Sequence, residues 1–344
     1  KWNDVSKING FRVYYDNSTE DDWEYVEVEF ENKGNEYVFQ DLIANRQYWL
    51  DLNVNYKYDL SKYYYFNLKT DGADAKAERV NFVDQALRDV VAKEIGIYDR
   101  DVTILDMKDL THLNLDWKEI TDLEGIQYAE ELESLYLDGN DLVDISLLKG
   151  LTNLTRLDLQ YNKIVNTKAL SDLINLEQLY LDDNNIDDIS ALEKLDNLLY
   201  LRLGSNQIKD ISVLSNLVNM RDLDLSYNEI IDLSGLGALT KLNDLSLRGN
   251  QIVDVSSLEN LTDLEYLYLD NNQISDIASL AKLSNLETLY LSSNEITELP
   301  SLSELTSLNS LYLSHNEIND ISGLAGLSNL ETLYLNSNKI TELA

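Results

Sequence analysis

Leu264-Glu265-Tyr266-Leu267-Tyr268-Leu269-Asp270-Asn271-Asn272-Gln273-Ile274-Ser275-Asp276-Ile277, followed by Leu280 and Leu283, decides the architecture of this chain. Leu267 and Leu269 alternate with Tyr266, Tyr268 and Asp270, the period of a strand that sends leucines inward and the other three side chains outward. Ile274, Ile277, Leu280 and Leu283 then supply apolar groups from a return limb. The same pattern starts at Leu110, Leu132, Leu154, Leu176, Leu198, Met220, Leu242, Leu264, Leu286, Leu308 and Leu330, always 22 residues apart. A strict period of this length predicts a solenoid in which each unit contacts its neighbours. Such a coil presents a long surface suited to binding.

The ninth position of the unit is Asn140, Asn162, Asn184, Asn206, Asn228, Asn250, Asn272, Asn294, Asn316 and Asn338. A buried amide needs partners. With two donors and an acceptor, this one is expected to bridge backbone groups of adjacent turns. Asp276-Ile277 recurs as Asp144-Ile145, Asp188-Ile189, Asp210-Ile211 and Asp320-Ile321. That aspartate suits the N-cap of a short helical turn. Calcium is the alternative, although no run has the ligand spacing of a calcium loop.

Period, leucine spacing and asparagine ladder together resemble the bacterial internalin-like leucine-rich repeat proteins of the 22-residue subclass, from Leu110 to the end. Lys118 in place of the first ladder asparagine, Asn166-Thr167 in place of Asp-Ile, and Pro300 in the return limb depart from the pattern. The resemblance implies an α/β solenoid, a horseshoe with a parallel β-sheet and an N-terminal helical cap. Val80-Asn81-Phe82-Val83-Asp84-Gln85-Ala86-Leu87 resembles that cap. Asp84 reads as its N-cap, Leu87, Val90, Val91 and Ile95 as its apolar stripe, and Gly96 as its stop. Asp101-Val102-Thr103-Ile104-Leu105 reads as a strand leading into the repeats.

Residues 1–72 have strand periodicity instead: Phe11–Tyr15, Tyr25–Phe30, Tyr48–Val54 and Tyr63–Phe66, separated by turn clusters such as Asp16-Asn17-Ser18 and Asn32-Lys33-Gly34-Asn35. Ile8–Tyr15, the corner Leu42–Tyr48, and Asn67-Leu68-Lys69-Thr70 resemble strands and a tyrosine corner of an all-β fibronectin type III-like sandwich, with Trp2 in the place of that family's second-strand tryptophan. The first strand is then expected upstream of Lys1, which makes the chain a portion of a longer polypeptide. The expected organisation is a fibronectin type III-like module over 1–72, a linker and helical cap over 73–109, and eleven repeats over 110–344.

Composition narrows the function. There is no cysteine, so no disulfide or thiol chemistry. Residues 1–72 hold 14 acidic and 8 basic side chains, so −29 of the net charge of −35 falls on residues 73–344. Such a surface opposes nucleic acid and anionic lipid. No apolar run approaches the roughly 20 residues of a membrane span. The two histidines, His112 and His315, lie nine strand spacings apart, on the order of 43 Å, and cannot share a site. No nucleophile elbow, phosphate loop or metal-ligand cluster is present. The chain therefore reads as a non-catalytic protein without cofactor.

A partner is expected on the concave face. Its central row is Asn114, Tyr136, Asp158, Tyr180, Arg202, Asp224, Ser246, Tyr268, Tyr290, Tyr312 and Tyr334. The last four form an aromatic stripe, on the order of 14 Å long, of the residue type enriched in interface hot spots. They are joined as candidates by Tyr200, Tyr266 and Arg248 from the flanking rows. A second, mixed-charge patch would unite Arg156, Arg202, Arg221 and Arg248 with Tyr180, Tyr200, Asp222, Asp224 and Asp244. The family resemblance implies an adhesin-like secreted or cell-surface bacterial protein that engages a protein or glycan. A structural, self-assembling component of a surface layer, filament or matrix is the alternative.

Overall fold

A computed structural model describes five strands between residues 8 and 54 by their backbone, and residues 78–341 apart from positions 99 and 109 in full. The chain divides into two compact units, residues 1–78 and 79–344. In the first, β1 (Ile8–Asp16) pairs antiparallel with both β2 (Trp23–Val26) and β5 (Tyr48–Val54). β3 (Phe30–Asn32) and β4 (Tyr37–Phe39) form a separate antiparallel pair. The Tyr63–Phe66 stretch, the corner at Leu42–Gln47 and Trp2 lie outside the described residues.

The second unit opens with α1 (Gln85–Glu94). Asp84 starts it by accepting the Ala86 and Leu87 amides at 2.9 and 3.1 Å. Gly96, at φ 72°, ends it, and the Ile97 amide reaches back to Ala92 O at 2.7 Å. A left-handed glycine closed by such a bond is how helices commonly stop. Leu87 and Val91 are fully buried in the core that also holds Leu110 and Leu113. Asp84 Oδ2 also accepts the Thr121 amide at 2.9 Å, tying the helix start to the first repeat.

Residues 101–105 do not form the expected strand. Thr103 makes only an isolated bridge to Arg79, and Ile104–Met107 turn into a short helix, α2. The reason lies three residues ahead. Asp106 accepts the Thr103 amide and hydroxyl, both at 2.7 Å, a capping box that outcompetes the β preference of Val102, Thr103 and Ile104. Burial alone would raise the Asp106 carboxyl. Its hydrogen bonds from Arg100, at 2.7 and 2.8 Å, and from Thr103 hold it below the usual carboxylate range.

From β6 (His112–Asn114) to β16 (Thr332–Tyr334), eleven three-residue strands form one parallel sheet in chain order. Constant unit length sets the register. Leu179, Leu201 and Leu223 lie side by side, as do Tyr180, Arg202 and Asp224. The inward leucines, with Ile208, Ile211, Leu214 and Leu217 of the return limb and their equivalents, make one continuous core. Each fully buried leucine contributes about 1.5–3 kcal/mol before ordering is subtracted.

Hydrogen bonds stitch the units together at two edges. Asn206 donates Nδ2–H to Leu181 O, Leu203 O and Gly204 O at 3.0–3.1 Å, and its Oδ1 accepts the Ile186 amide at 3.0 Å. The other buried ladder asparagines likewise donate to the carbonyls 25 and three residues back, and Asn140 serves Lys118 and Ile120 where the first unit has no asparagine. A second, exposed ladder runs along the opposite edge. Asn153, Asn175, Asn197, Asn219, Asn285 and Asn329 each donate to a carbonyl 23 residues back, at 2.6–3.1 Å.

The turn between strand and ladder asparagine is left-handed in every unit, from Trp117 (φ 56°) and Gly139 (64°) to His315 (57°) and Ser337 (58°). This conformation costs a non-glycine residue on the order of 1 kcal/mol. On the return limb, Asp144, Asp188, Asp210, Asp232, Asp254, Asp276 and Asp320 each accept the amide two residues on, at 2.8–2.9 Å, where a 3-10 turn begins. These carboxylates face the backbone of their own turn. Asn166 does the same for Lys168. Pro300 occupies the donor position and has no N–H, so no 3-10 turn forms between β14 (Thr288–Tyr290) and β15 (Ser310–Tyr312). The extended segment lies instead against the next unit, with Leu302 N–H on Gly323 O at 2.9 Å. A Cβ at Gly323 would meet Pro300 O and Leu299 O, at 2.4 and 2.5 Å.

Candidate functional site

Three rows of outward side chains cover the sheet, because strand residues alternate and the register never slips. The central row ends in the tyrosine series. Tyr268, Tyr290, Tyr312 and Tyr334 stack face to face, with centroids 5.0, 4.0 and 5.1 Å apart and planes within 19° of parallel. Spacing and parallelism follow from the sheet, since each ring inherits its neighbour's backbone position. Its hydrogen bond with Tyr312 pushes the Tyr290 hydroxyl up to about 12. Tyr334 is 52% exposed. Tyr266 stands in the adjoining row and donates to Glu287 Oε2 at 3.2 Å.

The expected mixed-charge patch resolves into three local groups. Arg156 lies between the rings of Tyr136 and Tyr180, 5.1 Å from each centroid, and donates from Nη1 to Gln178 Oε1 at 2.9 Å. Arg202 pairs with Asp222 at 3.3 Å and Asp224 at 3.5 Å. Arg248 pairs with buried Asp270 at 2.7 Å, 5.5 Å from the Tyr227 centroid. Arg221 joins none of these groups; it sits exposed at the edge, its carbonyl accepting the Asn243 and Asp244 amides. Tyr200 is 37% exposed beside Asp222 in register.

Carboxylates outnumber cations here, and their acidities show it. Burial raises Asp182 to about 7, with the charge of Asp224 adding to the rise, although the Gly204 amide donates to it at 2.6 Å. Gly204 has no side chain, and a Cβ there would lie 2.9 Å from that carboxylate oxygen. Burial, then the in-register charge of Asp222, raises Asp244 to about 6. Burial also raises Asp158, Asp222 and Asp270. Asp182, Asp158 and Asp270 were not among the sequence candidates. Like charges in adjacent units at outward positions are the signal that marks Asp222 and Asp244.

Among the described residues no three His, Asp or Glu side chains converge as a cation-binding group. His112 and His315 are both exposed. No helix among the described residues is long and apolar enough to cross a membrane.

The family described as Leucine Rich repeats (2 copies) matches residues 130–175, 174–216, 196–238, 218–260, 240–282, 262–304, 284–326 and 306–344. The chain belongs to the leucine-rich repeat family. Proteins of this family typically serve as non-catalytic binding scaffolds. Among solved structures, this leucine-rich repeat chain is similar to an internalin, InlF, from Listeria monocytogenes, at 31% identity and a TM-score of 0.58 over 79% of this chain and 95% of that one. It is similar to the functional domain of InlJ from the same organism, at 25% identity and TM-score 0.64, over 78% of this chain and 64% of that one. That domain includes a cysteine ladder, whereas this chain has no cysteine and runs its ladders in asparagine. It is also similar to the leucine-rich repeat ectodomain of the Arabidopsis thaliana receptor kinase GASSHO1/SCHENGEN3, solved in complex with CASPARIAN STRIP INTEGRITY FACTOR 2, at 26% identity and TM-score 0.57, over 66% of this chain and 32% of that one. A comparison with curated proteins gives no match.

Proposed function

We propose that this protein is a non-catalytic, adhesin-like binding protein, secreted or displayed on a bacterial surface, which engages a protein partner on the concave face of its repeats. Residues 1–72 are read as its fibronectin type III-like module, supported by the antiparallel order β2–β1–β5. Residues 73–109 are read as a linker and helical cap, supported by the burial of Leu87 and Val91 against the first repeat.

One observation carries the reading. Four stacked tyrosines stand beside Tyr266 and a group of incompletely neutralised carboxylates on a rigid sheet. Stacking presets the rings, so little rotamer freedom remains to be lost on binding. The hydroxyls give each ring a polar edge. A partner with basic residues around an apolar centre matches both halves.

The test screens the full chain against an array of extracellular proteins and repeats any hit with Tyr268→Ser, Tyr290→Ser and Tyr312→Ser combined. The expected result is saturable binding that weakens at least about a hundredfold, as truncation of hot-spot aromatics does, while circular dichroism still shows a folded protein. A partner whose affinity is unchanged would place the contact elsewhere and refute the proposal.

A further inference from the structure

In the left-handed turn before the ladder asparagine, seven of the eleven units carry Gly, Ser, Asp or Asn, residues that take this conformation readily. Trp117, Tyr161 and Tyr227 occupy the same turn at φ 56°, 50° and 53°. Bulky residues there are outliers, and the fold does not require them, since Ser205 and Ser293 build the same turn. Nor do they fill the core. Trp117 is 65% exposed and Tyr161 is 51% exposed. A strained, solvent-facing aromatic points to function.

Trp117 is also held in place. Its Nε1–H donates to Asp138 Oδ2 at 3.0 Å. Its indole lies on Gly139 of the next unit, where a Cβ would come within 2.3–2.5 Å of the ring. Beyond Gly139, the Tyr161 ring continues the surface at 6.2 Å, tilted by 35°. The result is an open aromatic floor spanning three units. Asn114, Asp116 and Asp138 border it in the outward rows. Asp116 accepts the Asp138 amide at 2.9 Å and the Asn114 side chain at 3.1 Å.

We propose that Trp117 and Tyr161 form a stacking platform for neutral hexose units of a glycan, with Asn114, Asp116 and Asp138 meeting the sugar hydroxyls. An exposed aromatic face suits the C–H face of a pyranose, and carboxylate and amide oxygens accept from its hydroxyls. Charge excludes anionic polysaccharide, because residues 73–344 carry −29 of the net −35. The patch is on the scale of a sugar ring, far below the ~800 Å² per side of a protein interface. A cation is the competing ligand, since Arg248 lies 5.5 Å from the centroid of the single Tyr227 ring at the equivalent turn, and competition with tetramethylammonium separates the two.

The experiment titrates the full chain with hexaoses of glucose, mannose, galactose and N-acetylglucosamine, read by calorimetry and by tryptophan emission. Trp117 is the sole tryptophan after Trp49, so the difference between wild type and Trp117→Asn isolates its signal. Asparagine keeps the left-handed turn. At least one hexaose should bind, with a change in the Trp117 component. Affinity should fall roughly tenfold or more in Trp117→Asn and in Tyr161→Asn, the scale of a lost aromatic contact. Tyr290→Ser should leave it unchanged, which separates this site from the tyrosine stack. Absence of binding at millimolar concentration to all four hexaoses, affinity indifferent to both Asn variants, or displacement by tetramethylammonium would each overturn the proposal.

Discussion

Replacing Asn206 with alanine should destabilise the solenoid more than any exposed polar substitution, and the size of the effect can be worked from its partners. Leu181 O keeps the amide of Asn184 at 3.1 Å, Leu203 O keeps that of Asn228 at 2.9 Å, and Gly204 O keeps the Asp183 N–H at 2.9 Å. The Ile186 amide, however, has no second acceptor among the described residues. The three donated bonds contribute about 1 kcal/mol each and the orphaned buried N–H costs about 1–3 kcal/mol more. The total is about 4–6 kcal/mol. With a urea dependence of about 1–3 kcal/mol per molar, the midpoint should fall by more than about 1 M. Because units couple mainly to their neighbours, a central defect should also broaden or split the transition. Asn197→Ala is the matched control. It removes one exposed bond, to Ile174 O at 2.9 Å, and should cost less than about 1 kcal/mol. Urea titration by far-UV circular dichroism, with hydrogen exchange of the Ile186 amide, reads both variants. Equal midpoints for Asn206→Ala and Asn197→Ala would refute the argument that burial makes the inner ladder.

Three further outcomes are expected. Asp182 and Asp244 bind protons more tightly in the fold than in the unfolded chain, at about 7 and about 6 against an ordinary 3.8. Their stabilising effect is therefore complete at acid pH and is lost as pH rises through those values, so the melting temperature should climb from pH 7.5 to pH 5. After allowance for partial exposure, each should contribute about 1–2 kcal/mol. Asp182→Asn with Asp244→Asn should raise stability at pH 7.5 and flatten the slope; an unchanged slope counts against the assignment. Gly235→Ala would place a Cβ 2.3 Å from Ile211 O and should destabilise by at least about 1–3 kcal/mol, whereas Gly237→Ala, with 3.4 Å of clearance, should be neutral or slightly stabilising by thermal melt. Asp106→Ala strips Arg100 and Thr103 of their shared acceptor and should cost about 3–5 kcal/mol; a loss below 1 kcal/mol would show the capping box to be dispensable.

Much of this was legible before any coordinates. The inner asparagines announced themselves because a polar residue recurring inside an apolar pattern has to be satisfied. The outer ladder did not, since Asn153 or Asn197 on an exposed turn looks like ordinary loop composition. The left-handed turn was masked by Trp117, Tyr161, Tyr227 and His315, which hide the preference shown by Gly139 and Asn271. At residues 101–105, β-branched composition pointed to a strand, and the partner that overrode it, Asp106, lies one residue beyond that window. Pro300 was visible as a departure from the pattern, but the lost capping bond required knowing that its amide position serves as donor in the other units.

Period and polarity alone determined that the chain coils, which residues face inward and which rows face outward. Those properties follow from alternation along a strand and from constant spacing, both local in the chain. Contacts across units had to be formed before the rest was settled: which arginine meets which carboxylate, how closely the tyrosines stack, and which aromatic rests on which glycine. Each of those depends on a separation of 20 or more residues closing to a few ångströms, and on how far burial penalises a charge once its neighbours are in place.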